Sequence, residues 1–264
     1  MEFFANGLPL AGIAVAALFV AVGLWETARP ELKSDHNAGR RWIANLGLYA
    51  LSEGVRVAMA PLLAMLAAAA SLTSFAAPSQ GGFSPLHLVA VGLLLDLAFY
   101  AMHRLLHAVD WLWRLHAIHH TDLALDVTTT VRHHPLETVP IAVTAFGVGA
   151  LIGATPGEIA FYGVLAFAVQ LLAHANVALP PRLAHAIGYV LVTPGFHRLH
   201  HSRDTRECHA NYGQVFSFWD RLFGTAVMPG PAPVAEYGVV EYATPRAQSI
   251  GAMLLQPVRP TPRL

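Results

Sequence analysis

A single cysteine, Cys208, stands in 264 residues. That excludes an internal disulfide and any zinc or iron–sulfur site built on several thiolates. Charge is also scarce: Asp, Glu, Lys and Arg make up 12% of the chain, against roughly 25% in ordinary soluble domains. Basic and acidic side chains balance at 16 each, so no net field recruits a nucleic acid and none is expected as a partner. No HExxH stretch occurs, which removes the usual hydrolytic zinc site with its glutamate base. The first residues lack the basic region of a secretory signal, and Glu26-Thr27-Ala28-Arg29 offers no small-residue cleavage site. The first apolar run therefore reads as an uncleaved span.

What fills the space is apolar: 55% of the residues are hydrophobic. Uncharged runs occupy residues 8–25, 57–77, 138–157 and 159–181, and a further run at 83–102 is broken only by Asp96. Each approaches or exceeds the ~20 residues needed to cross a bilayer as a helix. The expected fold is all-α, an integral membrane helical bundle with a histidine-rich metal-binding region on its cytoplasmic side. Residues 1–82 read as a transmembrane anchoring region of two spans, with 42–57 an amphipathic or bent approach to the second. Glu53 and Arg56, three apart there, can pair on one helix face. Residues 83–228 carry the chemistry; within them 139–178, interrupted at Thr155-Pro156-Gly157, reads as a hairpin that enters the membrane and returns His174. The proline-rich tail 229–264 reads mostly as loop.

Arginine placement gives the orientation. Segments 77–85 and 154–158 hold no Lys or Arg, whereas Arg29, Lys33, Arg40 and Arg41 follow the first run. Arg104, Arg114, Arg132, Arg182, Arg198, Arg203 and Arg206 stand among the histidine clusters. By the positive-inside rule that side faces the cytoplasm.

Eleven of the fifteen histidines fall in short clusters. His103 and His107 share a helix face, as do His116, His119 and His120, and His197, His200 and His201. Imidazole is the commonest metal ligand, and this many at helical spacing point to a site holding more than one ion. His174 and His134 join as single ligands, His134 borne on a loop because Pro135 follows it. His133 reads as a surface residue or alternative ligand; His36, His87, His185 and His209 lack partners at helical spacing and are left out. Asp96 and Tyr100 continue the stripe of His103 and His107. Asp96 is expected to accept the spare N–H of a ligand histidine, the other reading being an ion pair with Arg104. Glu137 and Asp220, with Asp122 and Asp126, are further carboxylates for that supporting layer, and Asn176 could anchor a helix end or orient a ligand. An all-imidazole set accepts Zn, Fe, Cu or Ni, so ligand type leaves the metal open.

These stretches resemble the fatty acid hydroxylase superfamily, the sterol desaturase-like membrane enzymes. Asp96-x-x-x-Tyr100-x-x-His103-x-x-x-His107 is similar to its first histidine box, and Trp113-x-x-His116-x-x-His119-His120 to its second. Arg132-His133-His134-Pro135-x-Glu137 resembles the family's Arg-x-His-Pro-x-Glu, and Gln170 to His174-Ala175-Asn176 its His-x-Asn element. Thr193-Pro194-x-x-His197-x-x-His200-His201-Ser202 resembles the last box, followed by Asn211-Tyr212-Gly213 and Trp219-Asp220 to Gly224-Thr225. The likeness covers roughly residues 90–228, and 248–257 also resembles bacterial members. Two positions depart: His209 stands where an Asp is common, and His133 replaces an aromatic.

The resemblance implies a non-haem di-iron oxygenase that hydroxylates or desaturates an unactivated C–H bond of a lipid with dioxygen. It implies two irons held by His103, His107, His116, His119, His120, His134, His174, His197, His200 and His201, with zinc a possible substitute in purified protein. With no haem- or flavin-binding segment in the sequence, electrons are expected from an external ferredoxin, cytochrome b5-like protein or reductase. A non-catalytic membrane protein that stores or transports metal would use the same imidazoles. A transporter, however, needs a polar path across the bilayer, and the clusters lie on one side.

Overall fold

In hydrocarbon a backbone satisfies its polar groups only as a helix or a closed barrel, and the apolar runs of this chain take the first course. A computed structural model describes residues 2–33, 37–71, 84–230, 234 and 236–259. The long helices α1 (Glu2–Ala28), α2 (Ala38–Ser71) and α3 (Pro85–Ala108) lead into the shorter α4 (Asp110–His120). A broken stretch follows: α5 (Thr138–Val143), a π-helical turn (Thr144–Val148) and α6 (Gly149–Leu151). Then come α7 (Pro156–His174), α8 (Pro181–Gly188), α9 (Pro194–His200), α10 (Thr205–Cys208), α11 (Phe218–Leu222) and α12 (Ile250–Leu254). Among the described residues strand pairing is limited to two isolated bridges, Leu191 with Phe216 and Ser202 with Tyr237, so the fold is all-α.

Among the described residues, three helical segments are long and apolar enough to cross a bilayer: Ala38–Met65 within α2, Pro85–Ala108 and Pro156–His174. Gly12–Ala28 and Pro135–Leu151 are shorter apolar helices. Two expectations change. The approach at 42–57 is not a separate element; it is part of one 34-residue helix that runs through Pro61. Its start is fixed by Asn37, whose Oδ1 accepts from the Arg40 amide at 3.0 Å. Residues 72–77, the end of the expected second span, lie outside the described residues.

The hairpin is built as its turn residues dictate. Gly153 adopts φ 71°, open to glycine without strain. Thr155 then caps α7: its Oγ1 accepts from Glu158 N, and Glu158 accepts from Thr155 N at 2.8 Å. The two arms approach so closely that a Cβ on Gly149 would meet Ile159 Cδ1 at 2.5 Å.

Most of the described tail is loop, but a short helix docks it on the bundle. Ser249 caps α12, whose Met253 is wholly buried against Ala44, Leu48 and Ile118. Gln248 accepts from Arg132 and donates to the carbonyls of Thr121 and Tyr242. A single five-residue turn is too short to show a helical period, so its apolar residues carried no signal of docking.

Helices α1, α3 and α7 end, and α2 begins, at the same end of the bundle. Val22, Val127, Leu171 and Val177 pack there in one apolar cluster. Glu26 accepts from the Val127 and Asn176 amides, and Arg41 bridges Asp122 (2.7 Å) and Asp126 (2.9 Å). Burial opposes ionisation of Asp122, yet Arg41 and Arg132 hold its carboxyl well below the usual carboxylate range. Such a buried network specifies the arrangement more than it stabilises it: removing one partner costs about 3–5 kcal/mol, while the intact pair contributes far less.

Candidate metal centre

The last turns of α3 present His103 and His107, α4 presents His116, His119 and His120, α7 ends on His174, and α9 carries His197 and His200 with His201 at its C-cap. Nine of these imidazoles converge into two buried groups. One holds His103, His107, His116, His120 and His200; the other holds His119, His174, His197 and His201; each group's donor nitrogens lie within 4.8 Å of one another. The spacing explains the division. In α4 the i,i+4 pair His116 and His120 serves the first group and His119 the second. Around α9 the i,i+4 pair His197 and His201 serves the second and His200 the first. Each short helix thus feeds both groups from one face.

Proton placement shows what the nitrogens can do. His103 Nδ1 donates to Tyr212 O (2.9 Å), His119 to Arg132 O (3.2 Å), His174 to Gln170 O (2.9 Å) and His200 to Ala210 O (2.7 Å). A carbonyl only accepts, so in the neutral ring the proton is on Nδ1 and Nε2 carries a lone pair. His116 Nδ1 likewise faces Glu137 Oε1 at 2.8 Å. Yet His103 Nε2 lies 3.1 Å from His116 Nε2, and His119 Nε2 3.1 Å from His174 Nε2. His174 Nε2 is also 3.0 Å from His197 Nε2 and 3.2 Å from His201 Nε2. In the His103–His116 and His119–His174 contacts, where both Nδ1 protons are already engaged, these are lone pairs facing lone pairs, an arrangement that a cation between them relieves. Separations near 3 Å are those of nitrogens sharing an ion at ~2.0–2.1 Å. Both nitrogens of His107, and Nε2 of His120 and His200, are buried without a hydrogen-bond partner. Burial first, then neighbouring imidazoles, holds His119, His120, His197 and His201 below the ordinary histidine range, in the neutral form that ligates. The residues fit metal ions in both groups.

A rigid layer stands behind the rings. Arg132, wholly buried, donates to Ile118 O, Asn45 Oδ1, Thr121 Oγ1 and Gln248 Oε1. Asn211, at φ 57°, donates to Phe196 O and Val227 O. Asp220 accepts from the amides of Tyr212 (2.8 Å) and Gly213 (2.9 Å) and from Thr225 Oγ1 (2.7 Å). Burial pushes its carboxyl up to about 6, against the pull of those donors. Asn211 and Asp220 therefore fix the loop whose Ala210 and Tyr212 carbonyls orient His200 and His103.

Not every expected residue sits where the spacing suggested. Glu137 does, touching His116 and, at 3.1 Å, His133 Nδ1. Asp96 touches neither a histidine nor Arg104. It accepts from Tyr162 OH, the Val215 and Phe216 amides and Trp219 Nε1, and so fastens α3 to α7 and the 215–219 segment. Tyr100 pairs with Thr225 Oγ1 at 2.8 Å, behind the Asp220 loop. Asn176 bonds both ways to the Leu32 backbone and anchors the exit of α1.

The places of His133 and His134 are the reverse of those expected. His134 joins neither group: its Nδ1 accepts from Leu136 N as the cap of the Pro135–Glu137 turn, and Nε2 donates to Leu254 O. His133 stacks on His119, ring centroids 4.4 Å apart and planes 14° from parallel, and forms a third cluster with His116 and Glu137. Extended backbone before a proline sends successive side chains to opposite sides, so only one of the two can face the rings. His209 lies 5.5 Å from the His107 ring. His87 pairs with Glu158 at 3.4 Å and His185 packs on Tyr189, away from the groups; His36 lies outside the described residues. Cys208, whose buried thiol is pushed up to about 12, sits 3.6 Å from His120 Nδ1.

A cavity of about 640 Å³ runs from His103, His116, His119, His174 and His197 into the bundle, lined by Phe99, Leu106, Ile141, Phe146 and Phe167. A second hollow of about 630 Å³ lies across α3, bounded by Tyr100, Arg104, His107, His209 and Phe223.

The family pattern for fatty acid hydroxylases matches residues 88–225, and the chain belongs to that family. It is similar to an ornithine lipid hydroxylase of Rhizobium tropici, 32% identical over 64% of this chain and 50% of that protein. It is also similar to an alkylglycerol monooxygenase of Caenorhabditis elegans, 28% identical over 49% of this chain and 25% of the relative. A very-long-chain aldehyde decarbonylase of rice, Oryza sativa, is 29% identical over 49% of this chain and 21% of the relative. The chain spans half or less of the length of these relatives. No solved structure matches it.

Proposed function

We propose that the protein is a membrane-embedded, dioxygen-dependent oxidoreductase that hydroxylates or desaturates an unactivated C–H bond of a lipid. One observation carries this reading: an apolar cavity ends on five of the nine converging imidazoles. A site that only stored or passed on metal has no use for such a vestibule, which favours catalysis over the non-catalytic alternative. Its similarity to an ornithine lipid hydroxylase and an alkylglycerol monooxygenase supports a polar lipid as the substrate class.

The residues fit two non-haem irons, one in each group, with zinc a plausible replacement during purification. When bound, iron supplies the dioxygen activation and one-electron chemistry that no side chain here provides. The chain's own part is positional. Backbone carbonyls and Glu137 hold the Nδ1 protons so that Nε2 faces inward. Phe99, Leu106 and Phe167 exclude water and align an apolar chain against the rings. Electrons come from an external ferredoxin, cytochrome b5-like protein or reductase. The histidine end faces the cytoplasm, as the arginine distribution supports. Residues 1–82 act as anchor, 83–228 as catalytic region, and 229–264 as a tail that braces it.

Lipid extracts of cells with and without the gene, compared by mass spectrometry, should differ by species gaining one oxygen or losing two hydrogens. His174→Ala should erase the difference while still inserting into membranes. Unchanged lipids, or full activity with zinc in both groups, would reject the reading.

A further inference from the structure

One feature of the cavity is absent from the metal chemistry. Tyr49, Ser52 and Arg56 of α2 line its wall, on one face of a helix apolar enough to cross a bilayer. Arg56 Nη1 donates to Glu53 Oε1 at 2.6 Å, and the side chains are 54% and 34% exposed. On a water-facing surface such a pair contributes little. Within an apolar span, ionisable groups are expensive and mark a functional site. Arg56 lines the same cavity as His133 and Glu137. Residues 49–56 lie outside the 88–225 stretch that the family pattern covers.

We propose that Tyr49, Glu53 and Arg56 bind the polar group of the lipid whose chain fills the cavity, and that this group is zwitterionic. The argument is one of neutrality. The pair carries no net charge, so a purely anionic head on Arg56 leaves Glu53 repelled and unpaired in a poorly solvated place. A head with an anionic oxygen group and an ammonium exchanges partners instead: its carboxylate or phosphate takes the guanidinium and its N–H groups take Glu53. Arg56 has five N–H donors, of which one goes to Glu53. Tyr49, one turn before Glu53, adds a hydroxyl. The proposal rests on the cavity being a lipid site, as the function above requires.

The test is native mass spectrometry of the full chain in detergent with four lipids of equal acyl length. These are phosphatidylethanolamine, an amino-acid lipid with free carboxylate and ammonium, phosphatidate, and diacylglycerol. The wild-type chain should retain one or both zwitterionic lipids about tenfold over the other two; which of them is retained separates a phosphate from a carboxylate head. Arg56→Gln should lose the preference and Arg56→Lys keep part of it. Glu53→Gln, which leaves an unopposed cation, should shift the preference to phosphatidate, a reversal that mere structural damage does not produce. Retention of all four lipids without preference, or variants that keep the wild-type order, overturns the clamp and leaves the oxygenase reading intact. Retention of none overturns both. Metal content and thermal unfolding of each variant certify that it is folded.

Discussion

The two histidine groups are built from the same ligand type yet rest on different supports. The four-histidine group leans on the deep scaffold: His119 on the carbonyl of buried Arg132, and His174 on its own helix through Gln170. The five-histidine group leans on a loop and a turn: His103 and His200 on Tyr212 and Ala210, and His116 on Glu137. The apolar cavity touches both groups, whereas the second hollow touches His107 of the five-histidine group alone. The first of these centres is therefore set by the core, and the second by elements that substitutions can move without unfolding the bundle.

The sharpest way to break the comparison is to remove His174, whose Nε2 faces three others of its group. His174→Ala should abolish turnover and lower bound metal from about two ions per chain to about one, read by elemental analysis. Arg132→Met should strike the scaffold instead, leaving Asn45, Thr121 and Gln248 without their donor and costing about 3–5 kcal/mol of stability in thermal unfolding. Asp220→Asn loosens only the loop. Metal affinity at the five-histidine group should fall roughly 10–100-fold in chelator competition, with the four-histidine group unchanged. An equal fall at both sites would show that the supports are not separate.

The smallest effect belongs to His134. His134→Ala should lose a helix cap, about 1 kcal/mol, with metal content unaltered. His133→Ala should instead disturb the site, because Glu137 and the His119 ring lose a neighbour. If His134→Ala empties a site and His133→Ala does not, His134 is a ligand and His133 is not.

Much of this was legible before any coordinates. Helical period alone grouped His116 with His119 and His120, and the apolar runs gave the helices. What could not be read was which ring joins which group, because that depends on how α4 and α9 face each other across the bundle. Asp96 misled for a related reason: its i,i+4 stripe leads toward His103, but its carboxylate is taken by four donors from residues 162 and 215–219, distant in sequence. His133 and His134 are adjacent, and only the backbone conformation before Pro135 decides between them.

Four of the five acceptors that fix imidazole tautomers are peptide carbonyls, which no substitution can delete. Glu137 is the exception, and it alone among them answers to mutation and to protons. A single side chain thus offers natural variation one dial for tuning how strongly His116 donates electrons to whatever it binds, with the His103, His119, His174 and His200 rings held by the main chain.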